Sequence, residues 1–484
     1  MLTPHDYQEE RIESFLNEPT KAALVADDPG GGKTLVAAEI IVRGKFERVL
    51  ILGVKDTFDS WNATVQVQSE GALSLRRVDS TKEGKVALAD LIAGKPGLYF
   101  AGTQFLVRQD WRYDKVFDSD GNPVYELDKF DQPTQKQATE RVHLGLYKKM
   151  KPLDLFIFDE FHVIQSRTSV GYKTVKTIRT EYKLGLSGTP GGNSFDGLWT
   201  PTRWLWPTLI DGSYWRWREQ WCAMEDVYLK GGKVTKKVVG ELRPGAFVAS
   251  LPLYFRHEAP PVPAPKIIEV ELEPEQREQY DMIEKDYMLW VEQQVLIVDL
   301  PVTMKQRLRT ATLGTMSLTT EDEIFFDINC HSAKLRALSG LLRFWGDEPV
   351  IIGMDSKRFA KVVVAQMQRA GLSVAEWTGD VNSKDRAEVK DAFLAKDLQY
   401  IVATIPSMST GLDGFQRVCK RLVWLSEMEG NPSINEQFVR RLYRPPYNPD
   451  FQHVKIVAKN TFDDEAHRLN VMKHASMRRS LKSA

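Results

Sequence analysis

Cysteine is scarce: Cys222, Cys330 and Cys419 lie far apart with no Cys-x-x-Cys pair, which argues against a zinc cluster and a disulfide framework and fits a reducing compartment. Net charge is lacking as well. The 65 Lys and Arg residues balance 65 Asp and Glu, so the chain is not generally basic and any polyanion site must be a local patch. Apolar runs such as VLILGV and YIVATI are too short to span a bilayer, and the opening MLTPHDYQEERIESF holds no apolar signal core. The expectation is a soluble protein without a membrane partner, in the cytoplasm or, for a viral source, the host cytoplasm. No internal repeat or low-complexity block is present. At 484 residues the chain exceeds what one core organises, so two or three domains are expected.

What is present is a double series of short β-rich runs separated by helix-length segments. AALVA, RVLILG, GLYFAG, LDLFIFDE and KLGLSGTP form the first series; PVIIGM, LSVAEWTG, QYIVATI, KRLVWLS and HVKIVAK form the second. Such alternation predicts two parallel α/β sheets. Between them, residues 195–225 are rich in tryptophan, EAPPVPAPK at 258–266 is a Pro-rich connector, and 273–297 has helical composition and spacing. The expected organisation is a first α/β domain over 1–194, a helical insertion and linker over 195–328, and a second α/β domain over 329–484. Asp-Gly-Asn-Pro predicts a hairpin insert at 118–132. The basic tail HRLNVMKHASMRRSLKSA is expected to be a solvated, frayed terminus.

Residues 26–34, ADDPGGGKT, almost fit a phosphate-binding loop. AALVA supplies the strand, Gly30, Gly31 and Gly32 the turn, Lys33 the charge, Thr34 a hydroxyl for Mg²⁺, and LVAAEIIV the following helix. The first Gly of the strict pattern is replaced by Asp27, which removes no chemical group. LDLFIFDEFH is an apolar strand ending in Asp159-Glu160, where one carboxylate can hold Mg²⁺ and its neighbour orient water. Alone, such a pair is more often a solvated strand end; after a Lys-Thr loop in the same α/β unit, the two read as a nucleoside-triphosphatase.

LGLSGTP at 184–190 and INEQFVRRLYRP at 434–445 extend the pattern, and the ordered set resembles helicase superfamily two and, within it, the Snf-type (sucrose-nonfermenting) DNA-translocase ATPases. That family's first motif looks like Ala-Asp-Glu-x-Gly-x-Gly-Lys-Thr, so Asp27 resembles its pattern. LTPHDYQ resembles the adenine-recognition segment, VLILGVKDTFDSW motif Ia, YFAGTQFL motif Ib, FDEFH the acidic box, and ATIPSMSTGLDGF motif V. The likeness covers nearly the whole chain in order. In motif VI this chain has Arg440 where the family usually has Gly, and RPPYN in place of Arg-Ile-Gly-Gln. Motif V has the general helicase form Gly-x-Asp.

The resemblance implies two tandem RecA-like domains in a minimal motor, of a size suited to a viral or bacterial protein, that uses ATP and Mg²⁺ on DNA, expected to be double-stranded. It puts Gln8 on the base, Lys33 on the phosphates, Thr34 and Asp159 on Mg²⁺, Glu160 on the attacking water, and Asp413 in the nucleotide site. Gln437, Arg441 and Arg444, on one face of a helix, resemble a group with two arginine fingers supplied by the opposite domain. Ser187 and Thr189 resemble the coupling motif, and Lys55, Thr103, Thr404 and Ser409 are candidate nucleic-acid contacts. A strand-separating DNA or RNA helicase remains the alternative among enzymes, and a nucleotide-gated DNA-binding protein that does not cycle is the alternative of another class.

Overall fold

The computed structural model describes residues 2–106, 111–115, 122–127, 133–135, 137–141, 147–228, 234–286, 288–291, 294–297, 301–318, 324–409 and 414–481. After helix α1 (Asp6–Asn17) come β1 (Ala22–Val25), α2 (Lys33–Gly44), β2 (Arg48–Gly53), β3 (Leu75–Val78), β4 (Gly97–Gly102), β5 (Leu153–Asp159) and β6 (Thr180–Leu186). An excursion follows, with α3 (Tyr214–Trp221) and the antiparallel hairpin β7 (Cys222–Tyr228) and β8 (Val234–Glu241), before β9 (Tyr254–Phe255) returns. The second series is β10 (Lys266–Val270), β11 (Val350–Met354), β12 (Val374–Trp377), β13 (Tyr400–Thr404), β14 (Arg421–Trp424), α4 (Pro432–Val439), β15 (Gln452–Ala458) and α5 (Phe462–Leu481).

These strands make two parallel sheets, with order β9-β1-β6-β5-β2-β4-β3 in the first and β10-β15-β14-β11-β13-β12 in the second. The architecture is two tandem RecA-like domains. Because side chains alternate along a strand and helices cover both faces, the central strands are apolar throughout. Leu50, Leu52, Phe156 and Phe158 face one layer of the first sheet, and Val49, Ile51, Leu155 and Ile157 face the other. In the second sheet Ile352, Val402 and Val423 oppose Ile351, Ile401 and Leu422 in the same way.

The tryptophan-rich stretch is core. Trp199, Trp204, Trp206 and Trp217 are buried against the first sheet, and the Trp204 ring lies 5.3 Å, edge-on, from Phe156. Trp215 is the exception, 55% exposed and flanked by the Arg167 and Arg218 guanidinium groups.

The segment 195–328 is less helical than its composition predicts, since it contributes β9 to the first sheet and β10 to the second. The helix expected over 273–297 runs only over Pro274–Asp281 and a π-turn at Met282–Asp286; Met288–Val291 and Gln294–Ile297 then pair as antiparallel strands. Their sequences, MLWV and QVLI, are of the aromatic and β-branched type that favours a pleated ribbon. Of the hairpin expected over 118–132, Tyr125–Leu127 pairs antiparallel with Pro133–Gln135, which lies beyond the expected bound, and residues 118–121 and 128–132 lie outside the described residues. Among the described residues no helix is long and apolar enough to cross a membrane.

One glycine ties the second sheet to the helix that follows it. A Cβ on Gly353 of β11 would come within 2.4 Å of Phe438 Cε1, so α4 packs directly on the strand backbone. Gly353→Val should overpack this contact at a cost of about 1–3 kcal/mol, lowering the urea midpoint of unfolding. An unchanged midpoint would mean that α4 is not held there.

Candidate active site

The sequence-predicted groups converge where parallel strands end, the usual location of ligand sites in open α/β sheets. β1 runs into the 26–34 loop, β5 ends at Asp159, and β6 leads to Ser187. Gly30 (φ +92°) and Gly32 (φ +74°) take left-handed backbone conformations that open the loop into a cradle. A Cβ on Gly32 would lie 2.1 Å from Gln8 Nε2, and one on Gly31 would lie 2.9 Å from Asp27 Cβ. Lys33 begins α2, and its Nζ donates to the Asp27 carbonyl at 2.8 Å, folding the side chain over the loop.

The replacement of the first Gly by Asp27 has a local explanation. Asp27 is fully buried, pairs with Arg11 of α1 at 3.0 Å and accepts the His257 N–H at 2.7 Å. It fastens α1 and the segment after β9 to the loop. Burial raises its pKa, against the opposing pull of Arg11 and Lys33.

Gln8 is also buried; it donates to the Gly31 carbonyl at 3.0 Å and accepts from His5 N–H at 2.9 Å. Tyr7 bonds the same carbonyl and stacks on His257 at 4.1 Å with rings 3° from parallel. Beside them is a cavity of about 610 Å³ whose lining includes Tyr7, Gly30, His257, Pro260 and Tyr447. Sequence reasoning named neither Tyr7, His257 nor Tyr447, because the latter two lie more than two hundred residues from the loop they adjoin.

A second cavity of about 420 Å³ is lined from both domains, by Lys33, Thr34, Asp159 and Glu160 on one side and Gln437, Arg441 and Arg444 on the other. Glu160 adopts φ +51°, a strained left-handed conformation for a non-glycine residue and one of the kind found at functional sites. Its Oε2 lies 3.2 Å from His162 Nδ1 and accepts from Gln437 Nε2 across the cleft at 3.5 Å. Burial alone would raise its pKa, but the His162 hydrogen bond and the nearby cationic groups hold it below the usual carboxylate range. Asp159 shifts the other way: burial first, then the Glu160 charge, pushes it up, while the Trp61 indole N–H donates to it at 3.0 Å.

His162 Nδ1 also lies 3.1 Å from Ser187 Oγ, which accepts the Thr189 N–H at 3.2 Å, so the acidic strand end and the Ser187–Thr189 turn form one polar chain. From the second domain, Gln437 lies on α4, but the helix ends at Val439, so Arg441 and Arg444 reach the cleft from the turn after it and not from one helical face as expected; Arg441 Nε donates to the Ser409 carbonyl at 3.1 Å. Arg444 packs against the phosphate loop, its Cβ 3.6 Å from where a Gly30 side chain would begin.

The donor set fits Mg²⁺. Among the described residues no group of three or more His, Cys, Asp or Glu could hold a metal alone, while the cleft offers one hydroxyl and one carboxylate, Thr34 and Asp159. That is the sparse oxygen set through which Mg²⁺ binds when phosphates and water complete its octahedron.

The four nucleic-acid candidates fall in different settings. Lys55 and Thr103 follow the adjacent strands β2 and β4, and Thr103 Oγ1 donates to the Gly53 carbonyl at 3.0 Å. Thr404 ends β13, 2.7 Å from Ser407 Oγ. Ser409 is fully buried, its hydroxyl bonded to the Ile405 and Ile434 carbonyls. Asp413 lies outside the described residues.

The C-terminal tail departs from expectation. It is a 20-residue helix, α5, with Phe462 in the core of the second sheet and Leu481 in that of the first, where the Leu481 carbonyl accepts from Tyr254 Oη at 2.7 Å.

Asp27→Asn should leave Arg11 as a buried charge without its partner and lower unfolding stability by about 3–5 kcal/mol, measured by denaturant titration. An unchanged stability would mean that the pair is not what fastens α1.

The model of the SNF2-related domain family matches residues 7–311. No curated protein matches. Among solved structures, the chain is similar to the Sulfolobus solfataricus SWI2/SNF2 ATPase core in complex with dsDNA, with 15% identity over 99% of this chain and 94% of that one at a TM-score of 0.40. With its phosphate loop, acidic strand end and tryptophan-rich insertion all inside the matched span, this chain belongs to the SNF2-related domain family and is a DNA-dependent ATPase.

Proposed function

We propose that the protein is an ATP-driven motor that translocates on duplex DNA without separating its strands. The observation that carries this reading is the cleft, in which the phosphate loop and acidic pair of the first domain face Gln437, Arg441 and Arg444 of the second. The preference for duplex draws support from the family match, which runs through the tryptophan-rich insertion to residue 311, the part of the chain that resembles the translocase branch.

In phosphoryl transfer, negative charge spreads over the γ-phosphoryl oxygens, so catalysis is mainly positioning and cationic stabilisation. Lys33 and the N–H groups at the start of α2 bind the β- and γ-phosphoryl oxygens of ATP. Thr34 and Asp159 would hold Mg²⁺, which when bound would supply further charge neutralisation there. Glu160, kept ionised by His162 and the cations around it, orients the attacking water and accepts its proton. Gln437, in hydrogen-bond reach of Glu160, fixes that water from the opposite side. Arg441 and Arg444 stabilise the developing charge.

Because the cations arrive from the second domain, hydrolysis requires closure, and loss of the γ-phosphate weakens the hold between the domains. Ser187 and Thr189 transmit that change through His162. Lys55 and Thr103 grip DNA phosphates on one domain and Thr404 on the other, so a change in the gap becomes a step along the backbone. Ser409, buried beneath Arg441, acts through that arginine rather than on DNA.

Lys33→Ala should abolish turnover, and Glu160→Gln should keep Mg-ATP binding while losing hydrolysis. Arg444→Ala should slow turnover on the order of a hundredfold with little change in ATP affinity. Wild-type turnover in any of these folded variants would contradict the assignment. On DNA substrates, ATP should drive displacement of a triplex-forming third strand while leaving a plain duplex intact, and binding should weaken steeply with salt. Efficient unwinding of a tailed duplex would favour the strand-separating helicase instead.

A further inference from the structure

A buried charge cluster that the hydrolytic scheme does not use reaches the wall of the cleft through Arg440. Asp28 of the phosphate loop is 2% exposed, and three arginines converge on it. Arg256 Nη2 lies 2.8 Å from Oδ1, while Arg478 Nη2 and Arg440 Nη2 lie 3.1 and 3.7 Å from Oδ2. Arg256 follows β9 in the first domain. Arg440 caps α4 and Arg478 sits in the last turn of α5. Arg440 and Arg478 also both reach Glu436 on α4, Arg440 at 3.5 Å. Burial would raise the Glu436 pKa, but His474 and Arg478 hold it well below the carboxylate range, so it is charged.

Arg440 is the central piece. It is 1% exposed, its Nη1 donates to the Pro260 carbonyl at 2.7 Å, and its Nε and Nη2 make no hydrogen bond. A buried guanidinium so sparsely bonded is tolerable only between carboxylates. Here those carboxylates, Asp28 and Glu436, belong to opposite domains. A glycine at this position, the residue usual in the resembling family, would leave them unbridged. The next residue in the chain is Arg441, so whatever holds Arg440 also sets where the cleft arginines point.

We propose that Arg440, supported by Arg478, is a positioning residue for hydrolysis: it clasps the phosphate loop at Asp28 to helix α4 at Glu436, just before the turn that carries Arg441 and Arg444, and so sets the closed geometry of the cleft. The inference rests on the reading of that cleft as the ATPase site. A clasp of this kind acts on the reacting geometry and not on ATP binding, because Arg440 meets the loop through the Asp28 carboxylate, whereas Lys33 bonds the loop's carbonyls. Misplacement of catalytic groups by about 1 Å can slow a reaction by about a hundredfold.

The test is kcat and KM for ATP in the full chain, with saturating duplex DNA and without nucleic acid, for wild type, Arg440→Ala, Arg440→Lys, Arg440→Met and Arg478→Ala. Arg440→Ala should lower kcat about tenfold or more while KM changes less than about twofold. The loss should be larger without DNA, since DNA gripped by both domains substitutes for part of the clasp. Arg440→Lys should recover some of the loss and Arg440→Met none, because charge and not volume bridges the carboxylates. Arg478, with 24% of its side chain exposed, can be removed with less risk to folding, and Arg478→Ala should slow turnover in the same sense by about two- to fivefold. If Arg440→Ala does not fold, Arg478→Ala decides. Wild-type kcat in folded Arg440→Ala or in Arg478→Ala, a rise in KM at constant kcat, or rescue by Met but not Lys would each overturn the clasp. A wild-type chain without turnover would overturn the reading of the cleft instead.

Discussion

A carboxylate taken out of water needs a cation to replace its hydration, and the phosphate loop imposes that requirement twice in succession, at Asp27 and Asp28. Asp27 is met by Arg11 from the first helix. Asp28 is met by Arg256, Arg440 and Arg478, which come from the end of the first domain, the C-terminal cap of α4 and the C-terminal helix. Satisfying the two charges therefore draws elements separated by more than four hundred residues around one nine-residue loop. The geometry of the cleft follows from that convergence, and so does the closeness of Arg444 to Gly30.

The same constraint relates fold to chemistry. Each domain buries its own parallel sheet in two apolar layers and needs nothing from the other to make a core. What crosses between them is polar: Gln437 to Glu160, Ser433 Oγ to the Gly192 carbonyl at 2.6 Å, and Arg386 to Asp56 at 3.4 Å. Polar contacts of this kind remake readily when two bodies shift, whereas a packed apolar interface resists. α5 is the exception, anchored by Phe462 in one core and Leu481 in the other, and it limits how far the domains can part.

The central strands were legible in the sequence because strands covered on both faces are continuous apolar runs, as in RVLILG and QYIVATI. Of the strands in the two large sheets, those that escaped notice, Leu75–Val78, Tyr254–Phe255 and Lys266–Val270, lie at sheet edges, where LRRV and KIIEV carry charge and lose the pattern. The groups at strand ends were legible for a related reason, since Lys33, Asp159 and Glu160 sit at fixed offsets from recognisable strands. The partners of Asp27 and Asp28 were not, because nothing local marks Arg11, Arg256 or Arg478 as paired. The C-terminal stretch looked like a solvated tail because its 20 residues carry many charges and only a few of them, such as Phe462 and Leu481, pack into a core.

A cleft completed by two domains should turn over ATP in step with a grip on duplex DNA. Steady-state ATP hydrolysis by the purified chain with no nucleic acid, duplex DNA, single-stranded DNA or RNA tests it most directly. The rate should be low with the chain alone and rise most with duplex DNA. A rate indifferent to nucleic acid, or stimulated by single strands only, would contradict it.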